Sequence, residues 1–122
     1  MSGYFIIFTS LLTNQNMVKV YIASPYSSGD QALNVKKSLD VADKLIQEGF
    51  APFAPLLSHF QHMIHPRSYE EWMKLDLEWV STCDCVLRLH GESSGADREV
   101  QHAKLLNIPV FYNIKDLDRH YR

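Results

Sequence analysis

The sequence predicts a single α/β domain built on a doubly wound parallel sheet with helices on both faces. Short runs rich in β-branched and aromatic residues alternate with stretches whose apolar residues recur at helical spacing, in the order βαβαβαβ. The chain has 122 residues, of which 46% are apolar, and this is the size of one domain with its own core. Strands that alternate with helices in this order form parallel sheets with right-handed crossovers.

The first half of the domain contains two predicted strands and one helix. Residues 18–23 are a β-rich run that stops at residues 24–30, a turn with three serines, a proline and a glycine. Apolar residues recur at helical spacing over residues 31–48, and Gly49 ends this predicted helix. Residues 50–55 are the second strand, which a proline terminates.

The second half repeats the alternation after a predicted loop. Residues 56–67 show little periodicity, and we expect them to be a loop. Residues 69–82 are predicted to form a helix whose apolar face comprises Trp72, Leu75, Trp79 and Val80. The remaining elements are a strand at 85–89, a helix at 93–106, a strand at 108–112, and a polar tail at 113–122 that is a short helix or coil.

Composition and charge exclude several classes of partner. A net charge of −2 and a pI near 6.3 offer no basic footprint for long nucleic acid or an anionic membrane, so a mononucleotide is the more plausible ligand. The apolar run at residues 4–12 is shorter than the roughly 20 residues of a membrane helix and lacks the basic flank of a signal peptide. We therefore expect a cytoplasmic domain at residues 17–122, preceded by an N-terminal extension at 1–16. We also expect Cys83 and Cys85 to be buried and reduced.

The predicted topology selects two loops as the ligand site. Ligands of a doubly wound sheet bind outside the carboxyl ends of its strands, which are followed here by residues 24–30 and 90–95. Serine hydroxyls and the amides of a helix N-terminus together make an anion site. There is no Gly-x-Gly-x-x-Gly and no Walker-type lysine, so a dinucleotide or triphosphate cradle is not indicated. The serines that could grip one phosphate are Ser24, Ser27, Ser28 and Ser93.

Two acidic residues stand out against this background. Asp76 lies four residues after Trp72 and three before Trp79, so it sits on or beside an apolar face. It is either a buried acid hydrogen-bonded to its surroundings or an acid presented to a pocket. Glu99 lies near the first turn of the predicted helix at 93–106, where an acid complements the helix dipole, and it also falls at the carboxyl edge of the sheet.

Three histidines in the predicted loop invite a metal interpretation. His59, His62 and His65 are spaced by three, but no carboxylate stands in a ligand pattern with them. We expect surface or pocket-lining histidines and no metal site.

Four stretches of the chain carry a resemblance to a known family. They are VYIASPYS, GFAPFAP, KLDLEWVSTCDCVL, and SSGADREVQHA followed by NIPVFY. Together they resemble the nucleoside 2-deoxyribosyltransferase superfamily, including its deoxynucleoside-monophosphate N-glycosidase branch, from residue 18 to about residue 112. Ser93, Gly95 and Glu99 match the family's most specific pattern, while Arg98 and Val100 depart from the residues usual beside the glutamate.

The resemblance implies a Rossmann- or flavodoxin-like fold, no cofactor, and a homodimer or higher homo-oligomer. It implies Glu99 as nucleophile, Asp76 as its partner, and Tyr21 as a hydrogen-bond donor to the nucleophile. Tyr26 or Phe60 would stack on the base, or a tryptophan of a neighbouring subunit would do so. The substrate-binding residues that it implies are Ser24, Tyr26, Ser27, Ser28, Ser93 and Gly95.

The expected reaction is cleavage of the N-glycosidic bond of a nucleoside or nucleoside 5′-monophosphate through a glycosyl ester on Glu99. Water as acceptor makes the protein a hydrolase, and a second base makes it a transferase. The alternative is a non-catalytic nucleotide-binding or regulatory domain on the same fold, which would keep the serine loops but would not need both Asp76 and Glu99.

Overall fold

The structure, a computed structural model, describes residues 16–122. All but the last residue of the N-terminal extension predicted at residues 1–16 lies outside this part of the chain. The division into an extension and a domain therefore stays a prediction.

Four parallel strands form the sheet in the order β2-β1-β3-β4. They are β1, Lys19–Ala23; β2, Ala51–Phe53; β3, Cys85–Arg88; and β4, Val110–Phe111. Tyr21 in β1 is in register with Phe53 on one side and Val86 on the other. The order reverses between β1 and β3, so the crevice of the doubly wound sheet lies at the carboxyl ends of these two central strands.

Helices follow or connect the strands. In the described part of the chain they are α1, Gln31–Gln47; α2, Ser58–Ile64; α3, Tyr69–Thr82; α4, Ser94–Leu105; and α5, Ile114–Tyr121. Side chains that accept from backbone amides begin four of them, because free amides at a helix start need acceptors. These N-caps are Asp30, Ser68, Ser93 and Asn113, and Ser68 forms a capping box with Glu71.

The helices cover both faces of the sheet, which confirms the predicted fold class. Alternate side chains of a strand point to opposite faces. Val20 and Ile22 therefore pack in one core with Leu45 of α1 and Leu117 of α5. On the other face Tyr21 packs in a second core, with residues of α3 and α4. Tyr21's neighbours there are Ala23, Val80, Val86, Ala96, Val100 and Ala103.

The loop predicted at residues 56–67 is largely helical, so that prediction was wrong. Pro55–Leu57 form a 3-10 turn and α2 follows directly. No residue of α2 is buried, and the helix has no side-chain cap. Sequence periodicity reports burial of one face, and a short helix without a buried face gives no such signal.

The apolar face predicted for α3 was also partly wrong. Met73 and Val80 are the buried residues of this helix, whereas the side chains of Leu75 and Trp79 are 47% and 50% exposed. Trp79 stacks on Phe53 of the edge strand β2, with ring centroids 4.9 Å apart. The helix carries apolar residues on two adjoining faces, and only packing decides which one meets the sheet.

The tail and the cysteines follow the prediction. Residues of the polar tail form α5. Cys83 and Cys85 are buried and unbonded, and burial raises the pKa of both thiols. In the described residues, none of the helices has the length and apolar character needed to cross a membrane.

Candidate active site

A cavity of about 550 Å³ opens at the carboxyl edge of the sheet, between the loops that follow β1 and β3 and the helices α2 and α3. Eight of the nine sequence-predicted site residues line it: Ser24, Tyr26, Ser27, Ser28, Asp76, Ser93, Gly95 and Glu99. The ninth, Tyr21, is fully buried and reaches the cavity through Glu99. The chain thus brings these residues together, and their roles remain predictions.

Glu99 is a buried carboxyl group on the cavity wall, only 4% exposed. Its helix α4 begins where the Ser93 hydroxyl accepts a hydrogen bond from the Ala96 amide at 3.0 Å. Ala96, Val100 and Ala103 bury the same side of α4 against the sheet, and Glu99 lies among them at helical spacing. An acid at the solvent side of a helix start would be exposed, so the helix dipole alone does not explain its position.

Tyr21 holds the Glu99 carboxylate. Its hydroxyl group donates a hydrogen bond to Oε2 of Glu99, and its ring stacks on Phe53 with centroids 5.7 Å apart. Burial and, after it, the negative charge of Glu99 raise the pKa of Tyr21 well above its usual value. The phenol therefore stays protonated and acts as the donor.

Asp76 is the second acid of the site. Burial raises the pKa of its carboxyl group. Burial likewise raises the pKa of Glu99, and the charge of Asp76 raises it further, while the Tyr21 hydrogen bond and the charge of Arg88 oppose the rise. Two carboxyl groups that interact this strongly titrate as a pair and compete for one proton.

Arg88, which the sequence analysis did not single out, fixes the loop between β3 and α4. Its guanidinium group donates to the carbonyl oxygens of Leu89 and of Gly91, the latter at 2.8 Å, and pairs with Asp97 of α4 at 3.1 Å. The side chain is only 10% exposed. Sequence offered no signal for it, because an arginine at a strand end is usually a solvated residue.

The two loops approach each other at Gly91. This residue has a φ of +122°, and a Cβ atom placed on it would lie 3.0 Å from Cγ of Pro25. Both the backbone conformation and the close contact call for glycine. Gly95, at the start of α4, also lies close to a neighbour, because a Cβ on it would be 3.3 Å from Cε of Met73.

The serines differ in what they can offer a ligand. The Ser24 hydroxyl donates to the carbonyl oxygen of Pro25 at 3.0 Å, so its proton is already engaged. The Ser93 oxygen accepts from a backbone amide, which leaves its own proton free to donate. Ser27 and Ser28 are exposed, and Asn34 anchors their loop through the carbonyl oxygens of Tyr26 and Ser28.

Aromatic side chains line the same cavity, and the sequence analysis identified them only in part. His59 and His62 line the cavity from α2, and Trp72 lines it from α3. Tyr26 bonds to Nδ1 of His59 at 2.5 Å. Phe60, which we expected as a stacking partner, is exposed and does not line the cavity. The sequence showed the two histidines three residues apart. This spacing puts two side chains on one face only if the segment is a helix, and the sequence analysis predicted a loop there.

The histidines do not form part of a metal site in the described residues. Among residues 16–122, no three His, Cys, Asp or Glu side chains are grouped so that they could hold a metal ion.

Comparison with known proteins gives a family match and structural matches. A family model described as a domain of unknown function (DUF7768) matches residues 18–113. The solved structure of a 2-deoxyribosyltransferase from the psychrotolerant bacterium Bacillus psychrosaccharolyticus is similar, with 26% sequence identity and a TM-score of 0.54 over 76% of this chain and 69% of that one. No curated protein sequence matches the chain.

Proposed function

We propose that this chain, which belongs to the DUF7768 family of domains of unknown function, is an enzyme that cleaves N-glycosidic bonds of nucleosides or nucleoside 5′-monophosphates. The observation that carries the proposal is the buried Glu99 carboxylate, held by Tyr21 and paired with Asp76 on the wall of the cavity. Burying an acid is costly, and a polar pair in a cleft with raised pKa values is typical of a catalytic site.

The similar solved structure supports glycosyl transfer as the general kind of reaction. It is named as a 2-deoxyribosyltransferase, and its likeness covers 76% of this chain. The resemblance of the sequence around Ser93, Gly95 and Glu99 points to the same chemistry. The covalent intermediate and the substrate are proposed from this chain's own residues.

In the first step, Oε1 of Glu99 attacks C1′ of the sugar. Tyr21 binds the other oxygen, Oε2, so Oε1 is the oxygen that the Tyr21 hydrogen bond leaves for the attack. A C–O bond forms as the C1′–N bond breaks through an oxocarbenium-like transition state, and the bonding pair goes to the base. Asp76, whose pKa is raised, donates its proton to the departing base.

In the second step, an acceptor releases the sugar from Glu99. Asp76 is now ionised and takes the proton of an attacking water molecule or of a second base. The new bond forms at C1′ as the ester C–O bond breaks, and Glu99 leaves as a carboxylate. The reactive form of the pair is the one in which Glu99 is ionised and Asp76 holds the shared proton. The pKa of Glu99 is raised to about 8 and that of Asp76 to about 7, so this proton moves from Glu99 to Asp76 before the attack. The Tyr21 hydrogen bond and the Arg88 charge both favour the negative charge on Glu99.

The two walls of the cavity suit the two ends of a nucleotide. Ser93, with its free hydroxyl proton, and the amides at the start of α4 suit a sugar hydroxyl or a 5′-phosphate. The opposite wall of Tyr26, His59 and Trp72 suits a flat base.

We also propose that the protein works as a homo-oligomer. Leu75 and Trp79 leave large apolar surfaces exposed on α3, beside the edge strand β2. Their groove continues to Arg67 and Asp76, which also line the catalytic cavity. A second copy seated there would border the site.

Incubation with a panel of nucleosides and 5′-monophosphates, with and without an acceptor base, tests the proposal. We expect free base to appear for at least one substrate, as read by chromatography. Exchange of bases without loss of total nucleoside identifies a transferase, and net loss identifies a hydrolase. Nucleotide binding without any release of base would instead support the non-catalytic regulatory domain.

A further inference from the structure

We propose that His62 reads the base of the substrate as a hydrogen-bond donor through its Nε2–H group, and that this residue sets which bases the enzyme accepts. The inference rests on the proposed function and adds a specificity-determining residue to it. His62 lies on α2 and lines the cavity, and the resemblance implies no role for it.

The hydrogen bonds around His62 fix which of its ring nitrogens carries the proton. The indole N–H of Trp72 donates to Nδ1 of His62 at 2.8 Å, and the backbone amide of Arg67 donates to the same atom at 3.2 Å. An N–H group can only donate, so Nδ1 must be the unprotonated acceptor. A neutral imidazole has one proton, and it therefore resides on Nε2.

Nε2 is the atom left for a ligand. Among residues 16–122, no hydrogen-bond partner of Nε2 is present, while the ring lines the cavity. A donor of fixed identity recognises an acceptor, such as a ring nitrogen or a carbonyl oxygen of a base. It disfavours an amino or N–H group at the same place, because two donors would then face each other.

The surrounding wall favours the base rather than the phosphate as the partner of His62. Trp72 and His62 lie with ring centroids 6.0 Å apart at 69°, and Tyr26 and His59 form a second edge-on pair, with centroids 5.6 Å apart. A wall of aromatic rings matches a flat heterocycle. The phosphate donors, Ser93 and the start of α4, come from the loop after β3.

The same contacts orient His62, although its helix has no buried residue. α2 has no buried residue, and Phe60, Met63 and Ile64 are exposed. The packing of α2 therefore does little to orient the imidazole. Its position is set by Trp72 and Arg67, which belong to α3 and to the segment before it.

A binding cycle between protein and ligand variants tests the inference. All variants carry Glu99→Gln, which prevents turnover, and their Kd values are measured by calorimetry. The ligands are 5′-monophosphates that differ at one base acceptor. Adenine is compared with its 1-, 3- and 7-deaza analogues, and uracil with 4-thiouracil. We expect deletion of one particular acceptor to weaken binding about 3- to 10-fold when His62 is present. The same deletion should change binding less than about 2-fold in His62→Phe.

Three controls separate recognition from structure. His62→Gln, which keeps an N–H donor, should restore part of the discrimination. His65→Gln removes an imidazole from the end of the same helix, outside the cavity, and should leave the cycle unchanged. The ¹⁵N chemical shifts of His62 should show Nδ1 as the unprotonated nitrogen of the neutral ring. Thermal unfolding checks that each variant is folded.

The outcomes are distinguishable. Release of base by the wild type, together with no coupling to any base acceptor, overturns the inference and leaves the proposed function standing. A loss of affinity in His62→Phe that is equal for all the base analogues, and that is absent for the nucleosides without a 5′-phosphate, assigns His62 to the phosphate and also overturns the inference, as does a proton on Nδ1. Absence of both base release and nucleotide binding would reject the proposed function and the inference together.

Discussion

The hydroxyl group of Tyr21 and the carboxylate of Glu99 form a buried hydrogen bond between residues 78 positions apart in the chain. Tyr21 comes from the central strand β1 and Glu99 from helix α4. Both side chains point to the same face of the sheet, where α4 packs on β1. This bond occupies one oxygen of a carboxylate on the cavity wall, so several predictions about catalysis depend on it.

Replacement of Glu99 by Gln or Ala should abolish release of base and preserve binding of the nucleotide. Neither side chain is an effective nucleophile, and we expect the rate to fall by at least about 10³-fold. Base release read by chromatography and Kd read by calorimetry check the two halves of the prediction. Asp43→Asn, an exposed acid of α1 outside both the cavity and the groove beside β2, is the matched control. Turnover retained in Glu99→Gln would remove the nucleophile from the mechanism.

Tyr21→Phe should slow the reaction and shift its pH profile. The hydrogen bond from Tyr21 lowers the pKa of Glu99, so its loss raises that pKa further. The acid limb of kcat/KM, where Glu99 must ionise, should move to higher pH, and the rate should fall about 10²-fold. Tyr112→Phe, an exposed tyrosine, should change neither. An unchanged acid limb in Tyr21→Phe would show that Tyr21 does not act on the nucleophile.

Arg88 offers a way to separate charge from geometry at the same carboxylate. Arg88→Met removes a charge that lowers the pKa of Glu99, so the acid limb should again move to higher pH. Arg88→Lys keeps the charge but loses the fork that holds Leu89, Gly91 and Asp97. Arg88→Lys should therefore lower kcat but shift the acid limb less than Arg88→Met does. Identical pH profiles for the two variants would mean that Arg88 acts through the loop alone.

Stability should fall as pH rises through the titration of the carboxyl pair. In the unfolded chain both acids titrate near pH 4, whereas burial raises the pKa of Glu99 and of Asp76 in the folded state. Between the two values the folded state binds more protons, so the free energy of unfolding decreases with increasing pH. Glu99→Gln removes this cost and should be more stable than wild type at about pH 8, by about 1–3 kcal/mol.

Urea unfolding at about pH 5 and about pH 8 measures this difference. The advantage of Glu99→Gln should shrink toward the lower pH, because Glu99 is then protonated in the wild type too. An advantage that grows as the pH falls would contradict the raised pKa.

The groove beside β2 should mediate self-association. Leu75→Arg places a charge on this apolar surface and should shift the protein toward a smaller species in sedimentation velocity. Leu105→Arg is the control, since Leu105 is an exposed leucine at the end of α4, outside this groove. A wild-type protein that is monomeric at every concentration would reject the homo-oligomer.

Much of the architecture could be predicted from local patterns. The run at residues 18–23 contains β1, the helix predicted at 69–82 matches α3, and Ser93, at the start of the helix predicted at 93–106, caps α4. Helix and strand periodicities are properties of short segments, and capping depends on residues a few positions apart. The rule for doubly wound sheets then places the loops after β1 and β3 at one edge, where the cavity lies.

Other features depended on which face of a helix packs against the sheet or lines the cavity. The sequence showed apolar residues around α3, but packing buried Met73 and left Trp79 half exposed. It showed His59 and His62 three residues apart, but it did not show the helix that turns both toward the cavity. A helix with little buried surface has no periodic signature, so α2 was missed.

Apart from α2, the sequence by itself determined the order of strands and helices. It also determined the loops at the carboxyl edge of the sheet, and it singled out Asp76 and Glu99 as acids of the site. Only the tertiary structure decided that Glu99 is buried, that Tyr21 holds one of its oxygens, and that Arg88 lies close enough to act on its charge. The physical reason is that a pKa and a hydrogen bond depend on burial and distance between residues far apart in the chain. Those quantities exist only once β1, α3 and α4 have packed together.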